Sequence, residues 1–286
     1  MKTLREYIKL AEETKTAIGH FNISDMVGFW AVVGAAKNLN LPVIIGVSEG
    51  ERDFLGVKQI KVLVDTLKQE NLPIFLNADH TYSVDRIKEV VDAGFDAAII
   101  DGAEKDFAEN SRITKESVDY KNSVRPEMII EGELGFIGKS SKILESIPEG
   151  AEFSDEMMTK PEEAREFVQS TGIDLFAPAV GNIHGMVKGG DPKLNIKRIR
   201  EIKESTRMPL VLHGGSGNTE EEFRNAIAAG ISIVHINTEI RLAYKQSLLK
   251  FFSENPDEIA PYKFLRPGLL AMQSVIEHKL RLFNNL

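Results

Sequence analysis

The sequence predicts an α/β fold, a closed (β/α)8 barrel, on three observations: eight short β-branched runs, longer amphipathic stretches between them, and a 286-residue chain that holds both. In order, the runs are TAIGHFN (16–22), PVIIGVSEG (42–50), PIFLNADH (73–80), DAAIIDG (96–102), EMIIEGELG (127–135), DLFAPAVGN (174–182), PLVLHGGSG (209–217) and SIVHINT (232–238). Most are near-continuously apolar, the pattern of strands buried on both faces of a parallel sheet. Between them, VDRIKEVVDAGFD sets Ile87, Val90 and Val91 at helical spacing and offers Gly94 as a stop. Lys160-Pro161-Glu162-Glu163 puts Pro and acids in a first turn, and Asn218-Thr219 can cap the helix that follows. Length allows one or two domains, but eight βα units over 1–286 predict a single domain with an extra C-terminal helix; a doubly wound sheet with an appended domain is the second reading. Residues 136–160 lack a clear element and predict a long, mobile active-site loop after the fifth strand.

Composition narrows the function. With 35 Lys+Arg against 43 Asp+Glu, a net charge of −8 and no basic block, the chain lacks the positive footprint of a nucleic-acid or anionic-membrane binder. The absence of cysteine excludes a disulfide scaffold, a thiolate nucleophile and every Cys-based metal site. The opening MKTLREYIKLAEETK is charged throughout and no apolar run reaches the roughly 18 residues that span a bilayer, so a cytoplasmic protein is expected.

Parallel barrels place their chemistry at the C-terminal strand ends. There lie Asn22, Ser48-Glu49, Asp79-His80, Asp101, Glu131, Glu133, Gly181 to His184, His213 to Ser216 and His235 to Glu239. Five of the six histidines (His20, His80, His184, His213 and His235) fall on or just past a strand. A lone histidine there is more often a hydrogen-bonded rim residue. Several at one mouth favour a borderline-soft cation, zinc above all, in a three-ligand site with an open position. LHGGSG (212–217) and Asn237-Thr238 end the seventh and eighth strands, where barrels of this kind often bind phosphate. Gly-Gly-Ser-Gly by itself is also a plain turn. Glu131 with Glu133, or Asp79 with Asp101, leaves a paired-carboxylate hydrolase conceivable.

Taken collinearly, GHFNIS, VIIGVSEG, Asp79-His80 before a helix ending in DAGFDAAIIDGA, EGELGFIG, TGIDLFAPAVGNIHGMVKGGDPKL, LVLHGGSG and INTEIRLAY resemble the class II, metal-dependent ketose-bisphosphate aldolases, the fructose- and tagatose-bisphosphate family. The resemblance implies a TIM barrel with Zn2+ on His80, His184 and His213, Co2+ or Fe2+ being alternatives, and Asp79 as acid/base. It implies dihydroxyacetone-phosphate contacts from Asn22 and Ser48, and phosphate on Gly185, Lys188, Gly214, Ser216, Asn237 and Thr238 with Na+ or K+ nearby. Asp101 and Glu133 match an outer or alternative metal position, and a homodimer or homotetramer is implied. A class I mechanism would need a strand-end lysine, which the eight runs lack.

Four positions depart from the family pattern. Thr81 follows Asp79-His80 where Gly is usual, and Gly138-Lys139-Ser140-Ser141-Lys142 lacks the usual loop acid, leaving Glu145 as the candidate catalytic replacement. His235 stands where Asn is usual, near the substrate, and His20 replaces a small residue. These changes predict a zinc aldolase that releases dihydroxyacetone phosphate through a metal-stabilised enediolate, with a non-standard aldehyde partner. A standard glycolytic fructose-1,6-bisphosphate aldolase and a catalytically weak sugar-phosphate-binding barrel are the alternatives. Asp79 beside three histidines argues against the binder.

Overall fold

The computed structural model describes residues 2–138, 142–145, 158–188 and 193–286. The eight sequence runs become strands with trimmed ends: β1 (Ile18–Asn22), β2 (Val43–Val47), β3 (Ile74–Thr81), β4 (Ala97–Ile100), β5 (Ile129–Leu134), β7 (Leu175–Pro178), β9 (Leu210–Leu212) and β10 (Ile231–Ile236), while β6 (Ile143–Leu144) and β8 (Met186–Val187) pair separately. The ring closes in the order β1-β10-β9-β7-β5-β4-β3-β2, all parallel, so the fold is a barrel and not an open doubly wound sheet. Helices α2 (Met26–Leu39), α3 (Glu49–Leu55), α4 (Val57–Gln69), α5 (Val84–Ala93), α6 (Phe107–Val124), α7 (Pro161–Thr171), α8 (Ile196–Thr206), α9 (Glu220–Ala229) and α10 (Thr238–Glu254) lie between and after the strands. Helix α1 (Leu4–Thr14) precedes the barrel and α11 (Pro261–Phe283) is the extra C-terminal helix.

Local chemistry sets the element ends. Gly94 caps α5 at φ 84°, Pro161 opens α7, and Thr219 caps α9 in a reciprocal pair with Glu222. The second run stops short of its expected end: Ser48 N–H donates to Glu51 at 2.8 Å, and the chain turns into α3 instead of extending to Gly50. The expected loop at 136–160 contains β6, while its residues 139–141 and 146–157 lie outside the described residues. By pairing with β8, β6 ties the chain after β5 to the chain that follows His184. Among the described residues no helix is long and apolar enough to cross a membrane.

Inward side chains recur every second residue, so each strand stacks its contribution in levels up the barrel. The lowest level is apolar: Ile18, Ile44, Phe75, Ala97, Ile129, Leu175, Val211 and Ile233 pack against Leu4, Ile8 and Ala11 of α1, which plugs that end. Two residues further on, the same faces carry His20, Asn77, Glu131, His213 and His235, all buried. Another step upward reaches Asn22, Asp79, Asp101 and Glu133. The barrel therefore changes from apolar floor to polar mouth within two levels.

Candidate active site

At the C-terminal mouth lies a cavity of about 270 Å3, lined by Asn22, Ser48, Asp79, His80, Tyr82, Asp101, Gly138, His184, Gly185, Gly214, Ser216, His235, Asn237, Thr238 and Arg241. Strand β3 delivers two of these residues through a register shift between Ala78 and Thr81. His80 sits in this bulge at φ 34°, a left-handed conformation that costs a residue with a Cβ about 1–3 kcal/mol. Arg52, fully buried, holds the bulge: its guanidinium donates to Val47 O at 2.6 Å, Asp79 O at 3.0 Å and Thr81 Oγ1 at 3.0 Å. Thr81, where the resemblance leads one to expect glycine, is buried with its hydroxyl paired to Arg52.

His80, His184 and His213 converge, each offering a ring nitrogen within 4.8 Å of those of the other two. In each ring the other nitrogen is engaged. His80 Nδ1–H donates to Asp101 at 2.9 Å, His184 Nδ1–H to Gly138 O at 2.6 Å, and His213 Nε2–H to Glu131 at 2.6 Å. These acceptors fix the tautomers, leaving lone pairs on Nε2 of His80 and His184 and on Nδ1 of His213. His213 Nδ1 is buried without a hydrogen-bond partner. An orphaned imidazole nitrogen beside two others is a donor set that fits a divalent ion, with the cavity side open.

Carboxylates surround this group. Asp79 Oδ2 accepts from Asn22 Nδ2 at 2.8 Å, while Oδ1 lies 3.5 Å from His235 Nδ1 and 4.0 Å from His80 Nε2. Burial alone would raise the Asp79 pKa, but the charge of His80 and the contacts with His235 and His20 hold it well below the ordinary carboxylate value. Glu133 is the opposite case. Its Oε2 is 3.7 Å from Nδ1 of both His80 and His213, yet burial and then Asp101 push its pKa up to about 8.

Strands β9 and β10 build a second feature beside the imidazoles. Gly214 (φ 60°) and Gly217 (φ 96°) bend the β9 loop, and Ser216 Oγ accepts from Asn237 N at 3.4 Å and Glu239 N at 3.3 Å, joining that loop to the start of α10. Thr238 opens α10, so its N-terminal dipole faces the same corner. Gly214 has no space for a side chain: a Cβ would lie 2.0 Å from Ile183 O. Gly214→Ala is therefore expected to destabilise the protein by about 1–3 kcal/mol through φ alone, with the clash adding to it. A thermal melt indistinguishable from wild type would contradict this.

The model of the family described as class-II fructose-bisphosphate aldolase matches residues 2–286. The chain belongs to this family. Fructose-bisphosphate aldolase of Geobacillus stearothermophilus is 34% identical over 288 residues, covering 99% of this chain and 96% of the relative. The Staphylococcus epidermidis (strain RP62A) fructose-bisphosphate aldolase is 33% identical over 98% and 96% of the two chains. The crystal structure of the YdjI aldolase from Escherichia coli K12 superposes with TM-score 0.81 at 27% identity, covering 99% and 97%. As a class II aldolase the protein is a carbon–carbon lyase, and a sugar phosphate is the family's kind of substrate.

In this aldolase the cavity gathers most of the site residues singled out in the sequence; His213 and Glu133 lie buried behind its wall, and two others stand apart from it. Glu145 and Lys188 bond each other at 2.5 Å on the β6–β8 ribbon, with side chains 81% and 59% exposed, and neither lines the cavity. Sequence reasoning also missed residues. Glu51, buried on α3, accepts from Asn22 Nδ2 at 3.0 Å and Ser24 Oγ at 2.9 Å and pairs with Arg241. Among the described residues lining the cavity, Arg241 is the only Lys or Arg. The signal for Glu51 was its capping spacing from Ser48, three residues back, just past the second run (42–50).

Proposed function

We propose that this aldolase reversibly cleaves a ketose phosphate to dihydroxyacetone phosphate and an aldehyde, with Zn2+ held by His80, His184 and His213. The observation that carries this reading is the convergence of three imidazoles, each turning one ring nitrogen towards the others while a hydrogen bond holds the nitrogen on the far side, beside the buried carboxylate of Asp79. When bound, the ion supplies Lewis-acid stabilisation for the negative charge that develops at C3 and the adjoining oxygens. Asp79 takes the proton from the C4 hydroxyl as the C3–C4 bond breaks and its electron pair moves to C3; the aldehyde departs, water entering its place protonates C3, and Asp79 returns its proton to the hydroxide so formed. Asn22 and Glu51 hold Asp79 in place for that transfer. Gly214, Ser216, Asn237 and Thr238 take the phosphate, with Gly185 and Ser48 also lining the cavity, so remote binding energy aligns the reacting carbons. Asp101 and Glu131 orient His80 and His213 through hydrogen bonds, and the grouping of Asp101 and Glu133 with His80 also suits a second ion position.

The far wall supports a non-standard aldehyde. The strand order sets β3 and β4 across the barrel from β9 and β10, so Tyr82 and Asp101 face the proposed phosphate end. Beyond them a side pocket of about 170 Å3 adds Gly102, Glu104 and Lys105. Asp101 and Glu104 set carboxylates along that wall, with Lys105 the one cation among its described lining residues. A second phosphate is disfavoured beside such a wall; an uncharged hydroxylated aldehyde suits it better. The exposed apolar side chains Leu249, Ile259, Tyr262 and Leu270 on and between α10 and α11 support a homo-oligomer.

The test is to strip the protein with a chelator, restore Zn2+, Co2+ or Fe2+ separately, and follow dihydroxyacetone phosphate release from fructose 1-phosphate, other ketose 1-phosphates and fructose 1,6-bisphosphate. Cleavage should fall to background without metal and return with zinc, with a ketose 1-phosphate preferred. Full activity in the stripped protein would overturn the zinc assignment, and preference for the bisphosphate would overturn the aldehyde assignment.

A further inference from the structure

His20 is completely buried and has no part in the steps above. Its ring lies flat on His235, with centroids 3.5 Å apart and planes 3° apart, and His235 in turn lies on His213 at 4.1 Å and 22°. The register explains the stack. His20 pairs with His235 across β1 and β10, and Val234 pairs with Leu212 across β10 and β9, so the next residues, His235 and His213, reach one level. Gly46 on β2 makes the space: a Cβ there would lie 2.1 Å from His20 Cε1. Asn77 Nδ2 steadies the far ring by donating to His20 Nε2 at 3.0 Å.

The middle ring has an edge as well as two faces. His235 Nδ1 lies 3.5 Å from Asp79 Oδ1, and that oxygen has no hydrogen-bond partner although it is buried. Asn22 holds only the other oxygen, Oδ2. A carboxylate fixed at one oxygen can still rotate about its terminal bond; a donor at the second oxygen fixes its plane. His20, Asp79 and His235 also form a group close enough to bind an ion, but two parallel stacked rings hold their lone pairs in separate parallel planes instead of aiming them at one point.

We propose that His235, clamped between His20 and His213, is a positioning residue that sets the plane of the Asp79 carboxylate, with His20 as its backstop. This rests on Asp79 being the base at the C4 hydroxyl. The role concerns carbon–carbon cleavage alone. Exchange of the C3 proton of dihydroxyacetone phosphate with solvent involves neither an aldehyde nor a C4 hydroxyl, so it does not depend on how Asp79 lies.

The experiment compares His235→Phe, His20→Phe, His20→Ala and Asp79→Ala with wild type. It reads kcat and KM on fructose 1-phosphate and fructose 1,6-bisphosphate, deuterium exchange into dihydroxyacetone phosphate, and metal per chain after zinc loading. His235→Phe keeps a stacking ring and removes the N–H; kcat should fall about 30–100-fold, with KM within about two-fold, exchange unchanged and one zinc per chain. His20→Phe should stay near wild type, and His20→Ala should lose about ten-fold in kcat alone. His20→Ala also reads the backstop should His235→Phe fail to fold. A wild-type kcat in His235→Phe, a rise in KM alone, or equal loss of cleavage and exchange would overturn the proposal. So would two zinc ions per chain in wild type with one lost in both His235→Phe and His20→Phe, which would make the group a metal site. If Asp79→Ala cleaves normally, the base assignment falls and the proposal with it; if Asp79→Ala is inactive while His235→Phe is not, the proposal alone falls.

Discussion

Asp79→Ala is expected to lower kcat for cleavage by about 10²–10⁴-fold while zinc content stays at wild-type level, since a positioned general base contributes rate enhancement of that order. The side chain is buried at 3% exposure and lies at the end of β3, in the bulge that also supplies His80. Its pKa is held far enough down that it is a base across the neutral range. Alanine removes that base but leaves His80, His184 and His213 with Asp101, Gly138 and Glu131 still fixing their tautomers. Asn22 keeps its contact with Glu51 at 3.0 Å, so the change should not spread through the mouth. Steady-state cleavage assays beside metal analysis check both halves. Activity within about three-fold of wild type would remove Asp79 from the reaction.

His184→Ala should act on the metal instead. Losing a group that merely orients a metal ligand costs about 10–100-fold in affinity, so losing a ligand should cost more than about 100-fold. His184 is the best of the three to remove, because it is held by one backbone carbonyl, Gly138 O, in the loop after β7. His213 is locked to buried Glu131, and His80 occupies the strained bulge, so changing either would disturb the barrel as well. Zinc retained after dialysis, measured against wild type, reads the affinity; circular dichroism should show an unchanged fold. A His184→Ala protein that keeps one tightly bound zinc would contradict the ligand set.

Much of the fold was legible because strand and helix signals are local. Continuous runs such as VIIGV and AAII mark strands buried on both faces, and Gly94, Pro161 and Thr219 mark helix ends by their own backbone and side-chain chemistry. The strand ends then located His80, His213, Asp101 and Asn22 without coordinates. The run 42–50 overshoots the end of β2 because the residue that turns the chain, Glu51, lies just beyond it and acts back on Ser48. Glu145 was proposed from its position in a loop alone, and the β6–β8 pairing instead sets it against Lys188.

What the sequence by itself determined is the succession of βα units, the polar ends of their strands and the supply of histidines. Tertiary structure alone decided which nitrogen of each ring is free, that Arg52 sustains the positive φ of His80, and that His20, His235 and His213 lie face to face. The reason is that these depend on barrel closure and on the register between β1, β10 and β9, strands up to about two hundred residues apart in sequence. Periodicity fixes which face a side chain takes; only closure and register fix which residues meet across it.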